Sequence, residues 1–390
     1  MRAIELFAGA GGLGLGLSKA GFTPVQVVER DHWCCDTIRE NRKNSKALAK
    51  WPLPTESDIH DVDFRKFEGK IGLVSGGPPC QPFSLGGKHR AHADQRDMWP
   101  EAVRAIRETR PKAFVFENVK GLTRAAFASY FNYILLQLHY PSIEKKGDGN
   151  EKWEDHFARL QQHHTSRPAE KEEYRVVADL VNAANFGVPQ RRERVVFVGF
   201  RADLELKWSF PEKTHSLEAL LWNQCRTETY WDRHRIPLRE RTIDASAFAK
   251  GASQRVKPKT KPWVTTRDAI GTLPDPEGRS LLLKKYSNHK FQPGARSYPG
   301  HTGSPLDEPA KTLKAGVHGV PGGENMLLRP DGSVRYFTVR ESARLQTFPD
   351  NFVFHGSWSE SMRQLGNAVP VKLAQVIADN IATKLKANRK

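Results

Sequence analysis

The 390-residue sequence predicts a doubly wound α/β fold, in which helices cover both faces of a mainly parallel sheet, together with a second, smaller domain. Three observations support this prediction. Apolar runs typical of buried strands alternate with helical patterns over residues 1–200. A glycine-rich turn follows the first of these strands. Beyond Phe200 the periodicity is lost, and Pro, Gly and basic residues become frequent.

The alternation of strands and helices can be followed along the chain. The predicted strands are Ala3–Phe7, Val25–Glu29, Ile71–Ser75, Ala113–Glu117, Tyr174–Asn182 and Arg194–Phe200. Three helices are predicted in this part of the chain. The first runs from the loop Ala8–Gly14 to Lys19, the second opens with Cys34–Asn41, and the third spans Met98–Thr109. Glu144–Glu173 is polar and charged, and we interpret it as a helix-bearing surface insertion, with a mobile loop as the alternative.

Shifts in composition divide the chain into domains. Residues 1–201 form the predicted large domain, and residues 144–173 are its insertion. Residues 202–354 form the predicted smaller domain, and residues 355–390 are expected to return to the large one. The helix predicted at Val371–Lys386 carries apolar residues at helical spacing and should pack on a core.

The chain is strongly basic. Lys and Arg number 61 against 44 Asp and Glu, which gives a formal net charge of +17 and a pI of about 9.7. Such a surface favours a polyanionic partner, nucleic acid first, and a basic protein without such a partner is the alternative. Between Arg255 and Arg296, ten basic residues stand against three acidic ones.

Several classes of protein are disfavoured. No apolar run reaches the ~18 residues of a membrane span, and the N-terminus lacks the pattern of a secretory signal. Four cysteines without a C-x-x-C pair argue against a disulfide scaffold and against a zinc site, so we expect no metal. The predicted compartment is a reducing cytoplasm.

The first motif is the glycine-rich turn Phe7–Gly14, with the sequence FAGAGGLG. A strand, such a turn and a helix are typical of a nucleotide-binding site, because glycines let a ligand approach the backbone. Glu29 ends the next strand and suits a ribose diol, and Asp58 could accept from an adenine amine. A nicotinamide cofactor, S-adenosylmethionine and a tight turn that binds nothing all remain open on this pattern alone.

The second motif is the string GGPPCQPFS at residues 76–84. Prolines fix the backbone around Cys80 at the carboxyl end of a strand, where ligands bind in open α/β sheets. A lone cysteine is usually a packing residue, but one bracketed by prolines at a strand end is better interpreted as a nucleophile. A thiol with an ordinary pKa is mostly protonated at neutral pH, so it would need a positive or dipolar environment.

Two further motifs end at the same predicted crevice. Glu117 lies in the string FENV at the end of an apolar strand, so its carboxylate should project towards Cys80. The string QRRER at Gln190–Arg194 precedes the last strand of the large domain. It is either a basic surface turn or a means of bringing a guanidinium to the crevice.

With these four motifs in this order, the chain resembles the DNA cytosine-5 methyltransferases of the bacterial restriction-modification type. The resemblance extends to the string RESARLQTFP at Arg340–Pro349 and to QLGNAVP at Gln364–Pro370. It reaches both ends of the chain and leaves mainly Glu144–Glu173 and Ala202–Arg335 without assignable motifs.

The resemblance implies a role for each matching residue. Cys80 would be the nucleophile that adds to C6 of cytosine, Glu117 would contact N3 and the exocyclic amine, and Arg194, with Arg192, would contact O2. The implied S-adenosylmethionine-binding residues are Phe7, Gly9, Gly11, Gly12, Glu29, Asp58, Pro79 and Asn367. The implied DNA-binding residues are Ser84, Lys88 and Arg90, in a mobile catalytic loop at Ser84–Arg96, and Gln190.

The implied reaction is transfer of a methyl group from S-adenosylmethionine to C5 of a cytosine flipped out of double-stranded DNA. The smaller domain would then be the target-recognition domain, although the sequence that it reads cannot be deduced. The resemblance further implies a stand-alone monomeric enzyme that protects host DNA from a cognate restriction endonuclease, without a stable complex between the two.

Three alternatives are weighed against this interpretation. An RNA cytosine-5 methyltransferase shares the large-domain motifs but usually carries a Cys-Phe-Thr string, and the only cysteine after Cys80 is Cys225, in Gln-Cys-Arg-Thr. A non-catalytic DNA-binding relative would lack Cys80 or the Glu117 string, and both are present. A nicotinamide-dependent oxidoreductase would explain the glycine turn alone.

Overall fold

The computed structural model describes residues 1–79, 97–147, 151–166, 173–299, 301–315 and 325–388. One seven-stranded sheet organises the first half of the chain. Its strands are β1 (Arg2–Leu6), β2 (Thr23–Glu29), β3 (Thr55–Glu56), β4 (Leu73–Gly76), β5 (Ala113–Val119), β6 (Tyr174–Asn182) and β7 (Glu193–Arg201). The helices of this half are α1 (Gly12–Lys19), α2 (His32–Lys43), α3 (Trp99–Thr109), α4 (Ala128–His139) and α5 (Trp153–Ser166).

The strand order is β3-β2-β1-β4-β5-β7-β6. The first five strands in this order run parallel, and β7 is antiparallel to both of its neighbours, β5 and β6. The carboxyl ends of β1, β2, β4 and β5 therefore meet the start of β7 at one edge of the sheet. In open α/β folds this is the edge where ligands bind.

Helices pack on both faces of the sheet. Trp99 and Ile106 of α3 and Ile134 of α4 share one buried cluster with strand residues such as Phe114 and Phe116. On the opposite face, α1 packs together with α12 (Val371–Ala387), the last helix described, against residues of β1, β4, β5 and β7. The doubly wound, mainly parallel α/β fold predicted from the sequence is confirmed.

The second half of the chain has short elements. Its strands are β8 (His215–Ser216), β9 (Lys261–Pro262), β10 (Ser304–Pro305), β11 (Met326–Leu328) and β12 (Val334–Tyr336). Its helices before α12 are α6 (Leu217–Leu221), α7 (Thr229–His234), α8 (Ala245–Ala252), α9 (Thr266–Ile270), α10 (Val339–Leu345) and α11 (Trp358–Asn367). None of the helices in the described ranges is long and apolar enough to cross a membrane.

The buried clusters show how the second half is anchored. Leu220, Tyr230 and Trp231 form a small cluster within the predicted smaller domain. Ile270 and Phe337, by contrast, belong to a cluster that also contains glycine-turn and α1 residues. Because this cluster spans both halves, it does not mark a boundary at residue 201 or 354, and the domain limits stay predictions.

Candidate active site

The glycine-rich turn lies at the carboxyl edge of the sheet and is held by Glu29. Phe7, Gly9 and Gly11 all have positive φ, at 51°, 54° and 84°. The backbone N–H of Gly9 donates to Glu29 Oε2 at 2.7 Å, and Glu29 Oε1 accepts from the N–H groups of Arg30 and Asp31, each at 2.8 Å. Glu29 therefore joins the turn after β1 to the end of β2.

The glycines of this turn have different functions. A Cβ on Gly9 would meet no atom within 4 Å, so the space beside it is open. A Cβ on Gly12 would lie 2.5 Å from the carbonyl oxygen of Val369, and one on Gly14 would lie 2.6 Å from the Trp51 ring. Gly9 thus leaves room for a ligand, whereas Gly12 and Gly14 leave room for other parts of the chain.

Asp58 lies beyond β3 and has one-third of its side chain exposed. It accepts from the N–H of His60 at 3.1 Å and contacts His60 Nδ1 at 2.5 Å, and Arg30 Nη1 donates to it at 3.1 Å. The N–H and the ring of His60, together with Arg30, lower the pKa of Asp58. Arg30, which the sequence interpretation did not single out, directly follows Glu29 and so connects the Asp58 loop to the end of β2.

A buried carboxyl group lies beneath the turn. Glu5 of β1 is 2% exposed, pairs in register with Ser75 of β4, and accepts a short hydrogen bond from the Ser75 hydroxyl. Burial raises the pKa of Glu5 to about 7, and hydrogen bonds from Ser75 and the N–H of Gly14 act in the opposite direction. The apolar appearance of the first strand hid this residue from the sequence interpretation.

The end of β4 is fixed by its neighbours. Asn118, which is 4% exposed, donates from Nδ2 to the carbonyl oxygen of Pro78 at 3.1 Å. The carbonyl oxygen of Pro79 accepts from the N–H of Met98 at 3.3 Å. Cys80 follows Pro79 in the sequence, but it lies outside the described residues, as do Ser84, Lys88 and Arg90.

Glu117 and Arg194 form an ion pair beside this strand end. The distance from Arg194 Nε to Glu117 Oε1 is 2.7 Å, and the two side chains are 12% and 10% exposed. Arg194 lies opposite Val119 in the β5–β7 ladder, so it is a diagonal neighbour of Glu117 on the same face. The Glu117 carboxylate also approaches Gly77, where a Cβ would lie 3.4 Å from Oε2. Burial lowers the pKa of Arg194, and the adjacent Glu117 opposes this shift.

Arg192 and Gln190 are buried and bonded to backbone groups. Arg192 is 1% exposed and donates to the carbonyl oxygens of Leu313 at 3.2 Å and Gly366 at 2.8 Å. Gln190 is fully buried, and its Oε1 accepts from the N–H of Leu313 at 3.1 Å. These positions favour a role in joining chain segments over contact with cytosine or DNA, and the contacts predicted for both residues stay untested.

The structure thus brings the predicted residues together in two groups. Gly9 and its partner Glu29 lie at the open space of the glycine turn, whereas Gly11 approaches the Trp51 ring; Glu117 and Arg194 stand at the end of β5. Asn367 is exposed at the carboxyl end of α11, and the adjacent Ala368 approaches Gly12. Asn118 and its bond to Pro78 were missed, although Asn118 belongs to the FENV string.

Comparisons with known proteins show the family to which the chain belongs. The sequence model of the family described as C-5 cytosine-specific DNA methylase matches residues 1–140 and 162–383. The Type II methyltransferase M.PspPI of Psychrobacter sp. is 33% identical over 98% of this chain and 79% of its own length. The Type II methyltransferase M.NgoMIV of Neisseria gonorrhoeae is 30% identical over 98% of this chain and 97% of its own length.

A solved structure shares the fold. The Dnmt2 methyltransferase of S. pombe is 16% identical to this chain, covers 99% of both chains, and superposes with a TM-score of 0.53. The family match, by contrast, includes the glycine turn and the strands that carry Glu117 and Arg194. The chain therefore belongs to the C-5 cytosine-specific DNA methylase family and is a DNA cytosine-5 methyltransferase.

Proposed function

We propose that the protein transfers the methyl group of S-adenosylmethionine to C5 of a cytosine flipped out of double-stranded DNA, through a transient bond between Cys80 Sγ and C6. The observation that supports this most directly is the 2.7 Å pair of Glu117 and Arg194 next to the end of β4. N3 and O2 are adjacent on one edge of cytosine. Two side chains in contact can therefore engage that edge together.

The roles of the two side chains follow from where charge develops in the ring. When the Cys80 thiolate adds to C6, electron density moves towards N3 and O2. Glu117, after it takes up a proton from solvent, donates to N3 and Arg194 donates to O2, so the ring becomes an enamine whose C5 is nucleophilic. After C5 is methylated, the C5 proton passes to water. The C6–S bond then breaks, N3 returns its proton to Glu117, and the thiolate is restored.

The residues at the glycine turn fit S-adenosylmethionine. The open space beside Gly9 admits a ligand, and Glu29 Oε2 has one N–H partner and can still accept from a ribose hydroxyl. Asp58 is partly exposed and can accept from an adenine amine. When bound there, the cofactor supplies an electrophilic methyl group. The chain's own residues orient it and exclude competing nucleophiles.

Base flipping is required because the faces of a stacked cytosine are closed to both Cys80 and the methyl donor. The predicted target-recognition segment, residues 202–354, contains exposed basic residues that suit DNA phosphates, among them Lys257, Lys259 and Lys261. The relatives are named Type II methyltransferases. We therefore propose that the enzyme protects DNA from a cognate restriction endonuclease in a bacterial cytoplasm and acts as a monomer.

Duplex DNA in which the target cytosine is 5-fluorocytosine tests the covalent mechanism. Cys80 can add and the methyl group can transfer, but fluorine cannot leave as a proton does. The enzyme should therefore remain attached to DNA in denaturing gels, and attachment should require S-adenosylmethionine.

Cys80→Ser and Cys225→Ser form the matched pair of variants for this test. The first should abolish trapping and the second should preserve it. Wild-type methylation without any trapping on fluorinated DNA would contradict the covalent adduct. Trapping on fluorinated RNA, with none on DNA, would favour the RNA alternative.

A further inference from the structure

One part of the chain lies outside the family match and is nevertheless connected to the active-site edge through residues of α4. The family model leaves residues 141–161 unmatched. The structure describes 141–147 and 151–161 of this inserted segment, which includes the first part of α5. Arg159 closes the segment on itself by donating to both carboxylate oxygens of Glu151, at 2.7 Å each.

The inserted segment packs on α4 through aromatic rings. The centroid of the Trp153 ring lies 5.7 Å from that of Tyr130 and 5.5 Å from that of Tyr133. Tyr133 also contacts His156, with 2.9 Å between its hydroxyl and His156 Nδ1. Tyr130, Tyr133 and His156 are each at most 5% exposed. Such ring contacts fix the orientation of the tyrosines as well as burying area.

Tyr130 carries this contact to the active-site edge. Its hydroxyl donates a short hydrogen bond to Asp97 Oδ2, and Asp97 Oδ1 accepts from the N–H of Trp99 at 3.2 Å, in the first turn of α3. Met98, which lies between Asp97 and Trp99 in the sequence, donates its N–H to the carbonyl oxygen of Pro79. A series of contacts, in which the peptide bond between Asp97 and Met98 is one link, therefore runs from the Trp153 ring to Pro79, three residues beyond β4.

The end of β4 is also where the catalytic pair stands. Pro78 is bonded to Asn118, the neighbour of Glu117, and the Glu117 carboxylate approaches Gly77. A shift of Asp97 and Met98 would release Pro79 on one side while Asn118 held Pro78 on the other. Misplacement of reacting groups by about 1 Å can lower the rate of the chemical step by orders of magnitude.

We propose that Tyr130 is a positioning residue for methyl transfer, that it acts through Asp97 on the end of β4, and that Trp153 of the inserted segment holds it in place. The inference rests on the proposed reactive site at this strand end. Its readout is methyl transfer itself, which does not depend on whether the Cys80 adduct is correct.

The test compares Tyr130→Phe with Tyr133→Phe, two substitutions that each remove one buried hydroxyl from the same helix. We expect Tyr130→Phe to lower the single-turnover rate by about tenfold. The KM values for S-adenosylmethionine and DNA should stay within about twofold of wild type. Tyr133→Phe removes the bond to His156 but leaves the bond between Tyr130 and Asp97. Its single-turnover rate should therefore stay within about twofold of wild type, even if its melting temperature falls as much as that of Tyr130→Phe.

A double-mutant cycle separates positioning from general loosening of the fold. In an Asp97→Ala background the Tyr130→Phe substitution should have no further effect on the rate, because the bond that it removes is already absent. Trp153→Ala should reproduce the loss in rate and should not add to that of Tyr130→Phe. An unchanged rate in Tyr130→Phe, an equal loss in Tyr133→Phe, or additive losses in the cycle would each overturn the proposal. A failure to trap fluorinated DNA alongside these rates would count against the Cys80 adduct alone.

Discussion

Arg194 Nε lies 2.7 Å from Glu117 Oε1 across two neighbouring strands, and each side chain is at least 88% buried. Burying a charge is costly unless a partner compensates it. The pair therefore stabilises itself while it places a guanidinium donor and a carboxyl group side by side. The catalytic and structural roles of these residues can be separated experimentally. Replacing Glu117 alone leaves the charge of Arg194 buried without a partner, whereas replacing both residues leaves no unpaired buried charge at this position.

We predict that Glu117→Gln lowers the methylation rate by roughly 100-fold or more, the usual loss when a general acid is removed. It should also destabilise the protein, because Arg194 is left buried without its counter-ion. Adding Arg194→Met should restore part of the free energy of unfolding and none of the activity. Rates from single turnovers and stability from urea unfolding provide the two measurements. A double variant that regains activity would remove both residues from the chemistry.

Glu29→Ala should weaken S-adenosylmethionine binding by tenfold or more, since hydrogen bonds to a charged carboxylate are each worth ~1.5–3 kcal/mol. Specific DNA binding should change little. Glu56→Ala provides the control, because Glu56 lies in β3 beside the end of β2 and pairs with Arg39 on the surface. Calorimetry should detect the loss only in the first variant. Equal affinities in the two variants would place the ribose elsewhere.

Glu5 makes stability depend on pH in a predictable direction. Its pKa rises from 4.5 in the unfolded chain to about 7 in the fold, so the native state holds a proton that the unfolded state releases. The stabilisation is complete below pH 4.5 and is lost as the pH rises through 7. The full difference corresponds to roughly 3 kcal/mol.

Glu5→Gln cannot release this proton and provides the comparison. As the pH rises from 4.5 to 7, wild type should therefore lose unfolding free energy relative to Glu5→Gln. At higher pH the difference between the two proteins should level off. The other titratable groups are the same in both proteins, so their contributions cancel from this difference in unfolding free energy. Urea titrations at several pH values measure this difference, and parallel curves would mean that Glu5 stays ionised in the fold.

DNA binding should weaken steeply with salt, and part of the slope should come from Lys257, Lys259 and Lys261. All three are exposed, and each phosphate contact contributes about −0.9 to the slope of log K against log salt. Replacing the three by Gln should flatten the slope by up to ~2.7. Replacing Lys66, Lys70 and Lys386, which are exposed outside the predicted target-recognition segment, is the control. Equal slopes for the two triple variants would show that the first three lysines do not touch DNA.

Gly16→Ala should destabilise the protein by ~1–3 kcal/mol, as overpacking does in a filled core. A methyl group there would lie 2.5 Å from Ala374 Cβ and 2.6 Å from the carbonyl oxygen of Val371. Adding Ala374→Gly should recover part of the loss, although glycine within a helix itself costs about 1 kcal/mol. Thermal unfolding of the three proteins measures this coupling. If the losses from the two substitutions were additive, α1 and α12 would be able to move apart enough to accommodate the added methyl group.

Much of the central sheet could be predicted because its inner strands are buried on both faces and appear as apolar runs, whereas the edge strand β6 is partly exposed and was predicted from its β-branched residues. Tyr174–Asn182 was predicted with the bounds that β6 has, and Ala113–Glu117 is two residues shorter than β5. The helix predicted at Val371–Lys386 ends one residue before α12. The sequence did not specify that β7 runs antiparallel to β5, because strand direction depends on the path of the connections.

The candidate site was predictable only where the backbone determines the chemistry. Glu29 and Glu117 end strands at the edge where ligands bind, so topology alone brings them there. Arg192 and Arg194 stand two residues apart in one string, and the sequence could not separate them. The distinction is tertiary, since Leu313 and Gly366 bind Arg192 whereas Glu117 pairs with Arg194. Likewise, the contact of Gly12 with Val369 depends on a segment far away in the sequence.

The packing of α1 against α12 has a consequence for the timing of synthesis. Val369 and Ala374, which fit against Gly12 and Gly16, are translated hundreds of residues after the helix that begins at the glycine turn. Until then Leu13 and Leu17 lack part of the apolar cluster that covers them. Contacts between such distant segments form slowly and late. A nascent chain therefore cannot complete the glycine-turn half of the site before α12 has been translated, and methylation of DNA has to wait until then.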